Sequence, residues 1–345
     1  MIKKEWHVDS HNHFLANESS LIDPFGRTID YLRLSVTDRC NLRCTYCMAE
    51  DMTFLPRAQI LSLEELRDVA TAFVDLGVKK IRLTGGEPLI RRDIIKLVSA
   101  VASLPGLEEV TMTTNGMLLS KMAQPLKDAG LGRINISVDS LKADRFKELT
   151  RLGDLDQWHK SIRVAKESGF NKIKLNTVIL AGFNDDEVLD LAHYAVDNEM
   201  DISFIEEMPL GAISSHERSE TLVTSDQVRE QLERNFSLVD SVETTGGPSR
   251  YLQVVGSKSK IGFISPMSNN FCSSCNRVRM TAEGRFLLCL GNENSMDLRH
   301  VMRSHPGDSV LLKAKIVEAL HSKPERHHFD PNRTDIVRFM NMTGG

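Results

Sequence analysis

A chain of 345 residues with 41% hydrophobic and 26% charged side chains has ample apolar surface for one large or two modest domains, which excludes a disordered or disulfide-stapled miniature protein. A formal charge of -4 excludes a general polyanion binder, because non-specific nucleic-acid affinity comes from clustered Lys and Arg. The opening MIKKEWHVDSHNHF lacks the apolar run of a signal peptide, and no stretch of about 18 apolar residues could span a bilayer, so a cytoplasmic protein with no membrane partner is expected.

In chain order, residues 1–25 are polar and aperiodic, as a flexible N-terminal arm is, and His11 and His13 there are expected to be solvated. From Tyr31 onward, short β-branched runs predict strands over 31–36, 79–84, 107–113, 133–138, 172–179 and 201–207. Amphipathic stretches separate them. The first, 61–77, carries Ser62 as N-cap, Glu65 as its capping-box partner and Gly77 as terminator.

Six alternations of strand and helix predict a parallel sheet with right-handed crossovers, either curled toward a barrel or open. Six units cannot close an eight-stranded barrel. In either geometry chemistry gathers where the strands emit their C-terminal loops, and there the sequence places a cysteine loop, TGGEP, TTNG, SVDS and IEEMP, with Lys174 and Asn176 on the fifth strand. Beyond Pro209 the order changes to a loop, a helix over 224–236 and a hairpin over 250–265 turning at GSKSK, which predicts a smaller α+β domain. The division falls into 26–215 and 216–345.

The six cysteines form two groups of three, Cys40-x3-Cys44-x2-Cys47 and Cys272-x2-Cys275-x13-Cys289. In a reducing compartment such groups point to metal ligation or redox chemistry rather than structural disulfides. Three thiolates can hold three irons of a cubane cluster and leave the fourth open to a small molecule. A zinc site with a distant fourth ligand is the alternative for each, and His300 or His305 could complete the second. Arg277 and Arg279 alternate on a strand, so both point to one face, and guanidinium forks suit phosphate oxygens.

The first group, with Tyr46 before its last cysteine and TGGEP downstream, resembles the signature of radical S-adenosylmethionine (SAM) enzymes. RLSVTDRCNLRCTYCM, GVKKIRLTGGEPLIRRD, TTNG, RINISVDS, FIEEMP and FCSSCNRVRMTAEGRFLLCL narrow the likeness to the GTP 3',8-cyclases of molybdenum-cofactor biosynthesis, from about Gly26 to the C-terminus. That resemblance implies an incomplete (β/α)6 barrel of the radical SAM type with a smaller C-terminal α+β domain and two 4Fe-4S clusters. It implies that a 5'-deoxyadenosyl radical takes hydrogen from ribose C3' of GTP, that C3' then attacks guanine C8, and that the second cluster binds the base. By motif, Tyr46, Gly86, Ser137 and Met208 fall at SAM contacts, and Arg33, Arg82, Thr113, Lys174, Arg277, Val278 and Arg279 at GTP contacts. Arg277, Arg279 and the terminal Gly344 and Gly345 fall at catalytic positions, the diglycine reaching back into the site. A flavodoxin or ferredoxin reductant, a downstream cyclic pyranopterin monophosphate synthase and a homodimer are further implications.

One position departs from the family pattern: Ser203 stands where many members have arginine. Two rival readings are a peptide-modifying radical enzyme with auxiliary clusters and a nucleic-acid module with two zinc knuckles. All six cysteines are already assigned without extra clusters, and the lack of basic excess opposes the second.

Overall fold

The computed structural model describes residues 20–213, 215–243, 246–330, 332–333 and 335–344. A small antiparallel ribbon comes first, β1 (Leu21–Ile22) with β2 (Thr28–Ile29). Leu21 and Asp23 are buried, so residues 20–25 belong to this folded ribbon instead of to the arm expected over 1–25. His11 and His13 lie outside the described residues.

All six expected strands form: β3 (Tyr31–Ser35), β4 (Lys80–Thr84), β5 (Glu109–Thr114), β6 (Arg133–Ser137), β7 (Ile173–Ile179) and β8 (Asp201–Glu206). Between them run α1 (Leu63–Asp75), α2 (Ile94–Ala102), α3 (Leu119–Asp128), α4 (Ala143–Thr150), α5 (Leu155–Glu167) and α6 (Val188–Asp197). The cap of α1 is as the sequence spells it. Ser62 Oγ accepts from Glu65 N at 3.1 Å, Glu65 Oε2 accepts from Ser62 N at 2.7 Å, and Gly77 takes φ 95° past the last turn.

Strand periodicity then sorts the side chains into two faces. Leu32, Leu34, Ile81, Leu83, Met112, Ile134, Ile136 and Leu175 are fully buried in the hydrophobic core. Their alternating neighbours Arg33, Arg82, Thr113, Asn135, Ser137, Lys174 and Asn176 face the other way, into the concave interior, which is therefore polar.

The second half of the chain contributes α7 (Arg218–Thr221), α8 (Ser225–Glu233), β9 (Leu238–Asp240), β10 (Arg250–Val254), β11 (Lys260–Ile264), β12 (Arg277–Met280), β13 (Arg285–Leu287), β14 (Ser295–Asp297), α9 (Leu298–Ser304), α10 (Ser309–Leu320) and α11 (Met340–Thr343). Its strands extend the first sheet at both edges. The order is β14-β13-β12-β3-β4-β5-β6-β7-β8-β11-β10-β9, with β12 parallel to β3 and β11 parallel to β8. An incomplete barrel of six parallel strands is thus lengthened on each side, and one sheet runs across the division expected at 215/216. Among the described residues no helix is long and apolar enough to cross a membrane.

Candidate active site

The first cysteine loop leaves the C-terminal end of β3 and is pinned by backbone. Arg43 N donates to Thr150 O and Thr45 N to Leu149 O, each at 3.0 Å, and Cys47 N donates to Cys44 O at 3.0 Å. The turn after β4 locks the loop's entry: Gly86 N donates to Thr37 O at 2.8 Å, and a Cβ on Gly86 would lie 2.3 Å from Arg39 O. Glycine is required here by the approach of the protein's own backbone.

All three thiols are free. Burial pushes Cys40 up to about 11 and Cys47 up to about 12, and burial with repulsion from Cys47, Asp139 and Cys40 lifts Cys44 well above the usual range. Such thiols become thiolates only against a compensating cation, as a metal supplies. Asn115 Nδ2 donates to Cys40 Sγ at 3.7 Å.

The second trio differs in charge environment. Lys323, 3% exposed, donates from Nζ to Leu288 O at 2.6 Å, Arg277 O at 3.0 Å and Cys275 Sγ at 3.8 Å. Burial alone would raise the Cys275 thiol, but Arg277 and Lys323 outweigh it and lower the pKa, whereas burial keeps Cys289 raised. Arg27 ties the loop to the first ribbon, donating to Cys272 O at 2.8 Å, Glu325 O at 2.6 Å and Pro324 O at 2.7 Å.

Each trio lines its own cavity, and the two cavities share Asn176, Ile205, Met208 and Met340 as walls. Among the described residues no group of three or more His, Cys, Asp or Glu side chains is arranged to hold a metal ion directly. Sulfurs spread around a cavity fit a bulky cluster better than a point ion. Neither His300 nor His305 lines the second cavity; His327 does.

Of the expected SAM contacts, Tyr46, Gly86, Ser137 and Met208 all line the first cavity, with Tyr46 OH donating to Asp139 Oδ2 at 2.7 Å. Trp158 Nε1 holds the Ser137 carbonyl at 3.1 Å. The hydroxyl of Thr84 and the amide oxygen of Asn176 are buried without a hydrogen-bond partner among the described residues, and both residues line this cavity. Polar atoms left so in a closed site call for a polar ligand.

The expected GTP contacts separate into three sets, one of which is Thr113 alone, on the wall of the first cavity. Arg33, Arg277, Val278 and Arg279 line the second cavity, although the Val278 side chain sits in the hydrophobic core, which leaves its backbone for contact. Arg82 and Lys174 line neither cysteine cavity. Arg82 Nε donates to Tyr31 OH and its Nη1 donates to Thr113 Oγ1 at 3.2 Å, while Lys174 Nζ bonds Ser203 Oγ at 3.2 Å and Tyr251 OH at 3.1 Å. Ser203 thus meets Lys174 with a hydroxyl, and Ser249 Oγ lies 2.8 Å from it. Lys174, Lys80 and Tyr31 line a larger cavity, ≈ 890 Å³, at the N-terminal ends of the strands.

Arg279 is held well below the usual arginine range by burial and by the neighbouring charges of Arg33 and Arg277. Three guanidiniums gathered on one wall favour an anion. The chain's own end lies against them: Arg279 Nη1 donates to Gly344 O at 2.6 Å, and Asn341 Nδ2 donates to Asp38 O at 2.8 Å. Gly344 has φ 75°, and a Cβ there would fall 1.9 Å from Thr84 Oγ1. Gly345 lies outside the described residues. Lys323, His327 and Asn341 escaped the sequence reading because no motif spacing marks them, whereas Asn115 stood within the quoted TTNG.

Residues 34–195 match the Radical SAM superfamily, and residues 200–329 match Molybdenum Cofactor Synthesis C. A GTP 3',8-cyclase of Pseudomonas putida (strain W619) is 60% identical over 331 residues, covering 95% of this chain and 99% of its own length. GTP 3',8-cyclase 2 of Pseudomonas aeruginosa is 57% identical over 330 residues, covering 95% and 100%. Among solved structures, SuiB of Streptococcus suis superposes with a TM-score of 0.59 at 14% identity, covering 87% of this chain and 68% of its own. Its form bound to S-adenosylmethionine gives 0.58 at 14%, covering 92% and 78%. That likeness concerns the fold alone. On the relatives' identity and span, this chain belongs to the GTP 3',8-cyclase family of the radical SAM superfamily.

Proposed function

We propose that the chain is a GTP 3',8-cyclase that carries two 4Fe-4S clusters and performs the first step of molybdenum-cofactor biosynthesis. The observation that carries this reading is the pair of cysteine trios lining adjoining cavities that share Asn176, Ile205, Met208 and Met340. When bound, the first cluster and SAM would supply a 5'-deoxyadenosyl radical to take the C3' hydrogen of GTP; C3' would then bond guanine C8, and one electron from the reductant with one proton would quench the resulting purine radical to give (8S)-3',8-cyclo-7,8-dihydroguanosine 5'-triphosphate.

The chain's residues hold and orient these groups. Cys40, Cys44 and Cys47 hold the first cluster, and Tyr46, Gly86, Ser137 and Met208 line the space for SAM. Cys272, Cys275 and Cys289 would hold the second cluster, whose iron without a protein ligand would supply a site for guanine. Arg33, Arg277 and Arg279 orient the ribose and neutralise phosphate, Thr113 and Arg82 extend the contact, and Lys174 completes it where the family arginine is replaced by Ser203. The Gly344 carbonyl fixes Arg279. The reductant is a small flavodoxin or ferredoxin, the product passes to a cyclic pyranopterin monophosphate synthase, and the working form is a cytoplasmic homodimer.

The test is anaerobic turnover of reduced protein with SAM and GTP deuterated at C3'. Deuterium in the 5'-deoxyadenosine is expected. SAM cleavage stimulated by a peptide and not by GTP would favour the peptide-modifying reading.

A further inference from the structure

Tyr31 opens β3 at the N-terminal end of the polar interior and is only 2% exposed. Its oxygen accepts from Arg82 Nε, and its ring lies near two cations, with Lys80 Nζ 5.4 Å and the Arg82 guanidinium carbon 6.0 Å from the centroid. Strand register explains the crowding, since Tyr31 pairs with Lys80 on β4 and with Arg277 on β12. Arg33 from its own strand and Arg279 from β12 act on it as well. From β5, Glu109 is already engaged by Lys80 at 2.5 Å and by Arg133 of β6 at 3.3 Å. Among the described residues the Tyr31 hydroxyl donates to no acceptor.

A buried phenol in that setting gives up its proton readily. Burial raises its pKa, but Arg82, Arg33 and Lys80 together bring it down to about 7. Tyr31, Lys80 and Lys174 also line the ≈ 890 Å³ cavity, whose outer wall mixes further lysines with carboxylates such as Glu108, Glu199 and Glu243.

We propose that the Tyr31 oxygen is the anion that holds the Arg82 guanidinium in the free enzyme and yields it to the phosphate tail of the substrate. The inference rests on the reading that Arg82 contacts GTP. In the exchange, Arg82 turns from the phenolate to a phosphate oxygen, and the phenolate takes one proton from solvent. Tyr31 is therefore a positioning residue, and substrate binding is linked to proton uptake.

The sign follows from linkage. A phenol whose pKa rises on binding takes up a proton, so affinity falls as pH climbs above the free-state value, by at most about tenfold per pH unit for one proton. Calorimetry of GTP binding to the anaerobic holoenzyme, in two buffers of different ionisation enthalpy at about pH 8.5, counts the protons. The wild type is expected to take up about one proton more than Tyr31→Phe, and the affinity of Tyr31→Phe is expected to vary less with pH. Equal proton counts with normal GTP binding would overturn this inference alone. Absence of GTP binding to the wild type would remove the substrate reading and this inference with it. A measurement on the wild type alone covers the case of a misfolded variant: inorganic triphosphate should diminish the tyrosinate absorbance at the same pH, and an unchanged band contradicts the proposal.

Discussion

Arg279 is buried among Arg33 and Arg277, and its described hydrogen bonds go to the carbonyl oxygens of Thr343 and Gly344. On the proposed reading, replacing it with Met removes a charge-assisted contact to substrate, a loss of about 2 to 5 kcal/mol in binding the reacting state. A fall in kcat/KM of roughly 30-fold or more is expected with an unchanged unfolding midpoint. Gly344→Ala tests the other side of that bond. Its Cβ would overlap Thr84 Oγ1 at a φ of 75°, so cyclisation should drop while stability holds, because the strain falls on the chain's end.

The buried first trio gives a pH test. Cys47 moves from 9.0 to about 12 and Cys40 from 9.0 to about 11, so the folded apoprotein keeps protons that the unfolded chain releases. Between those values the unfolded state binds fewer protons, and apoprotein stability should fall with rising pH. Cys47→Ala should flatten the urea-denaturation profile over that window. That the cysteines, the paired arginines and the glycines of TGGEP gather on cavity walls was legible in the sequence, because loop spacing and strand alternation fix which residues share a rim or a face. Lys323 was not, since a lysine declares burial only once Cys275 Sγ and two carbonyls surround it.

At the scale of elements, local rules carried the first half of the fold. The Ser62 and Glu65 cap of α1 satisfies two end groups, and Ser62→Ala should cost about 1 kcal/mol in urea unfolding. The six parallel strands were legible because β-branched runs alternate with amphipathic helices. The pairing of β12 with β3 and of β11 with β8 was not, because partners far apart in sequence leave no local period. The same non-local logic holds the second cysteine loop. Arg27 in the first ribbon grips Cys272 O, Pro324 O and Glu325 O. Arg27→Ala should lower the iron of anaerobically reconstituted protein from about eight toward about four per chain, leaving the first cluster loaded.

Across the whole molecule, the fold brings two incomplete ligand sets to a common wall. β3 and β12, adjacent in the sheet, carry Arg33, Arg277 and Arg279 to the second cavity, while the loops after β3 and β4 frame the first. In the proposed reading each trio leaves one iron of its cluster without a protein ligand, and SAM and GTP fill the two vacancies. Mössbauer spectroscopy on anaerobic, iron-57-loaded protein tests this most directly. The account predicts about eight irons per chain, one of them changing on addition of SAM and a different one on addition of GTP. Spectra unmoved by either compound, or zinc in place of the second cluster, would contradict it.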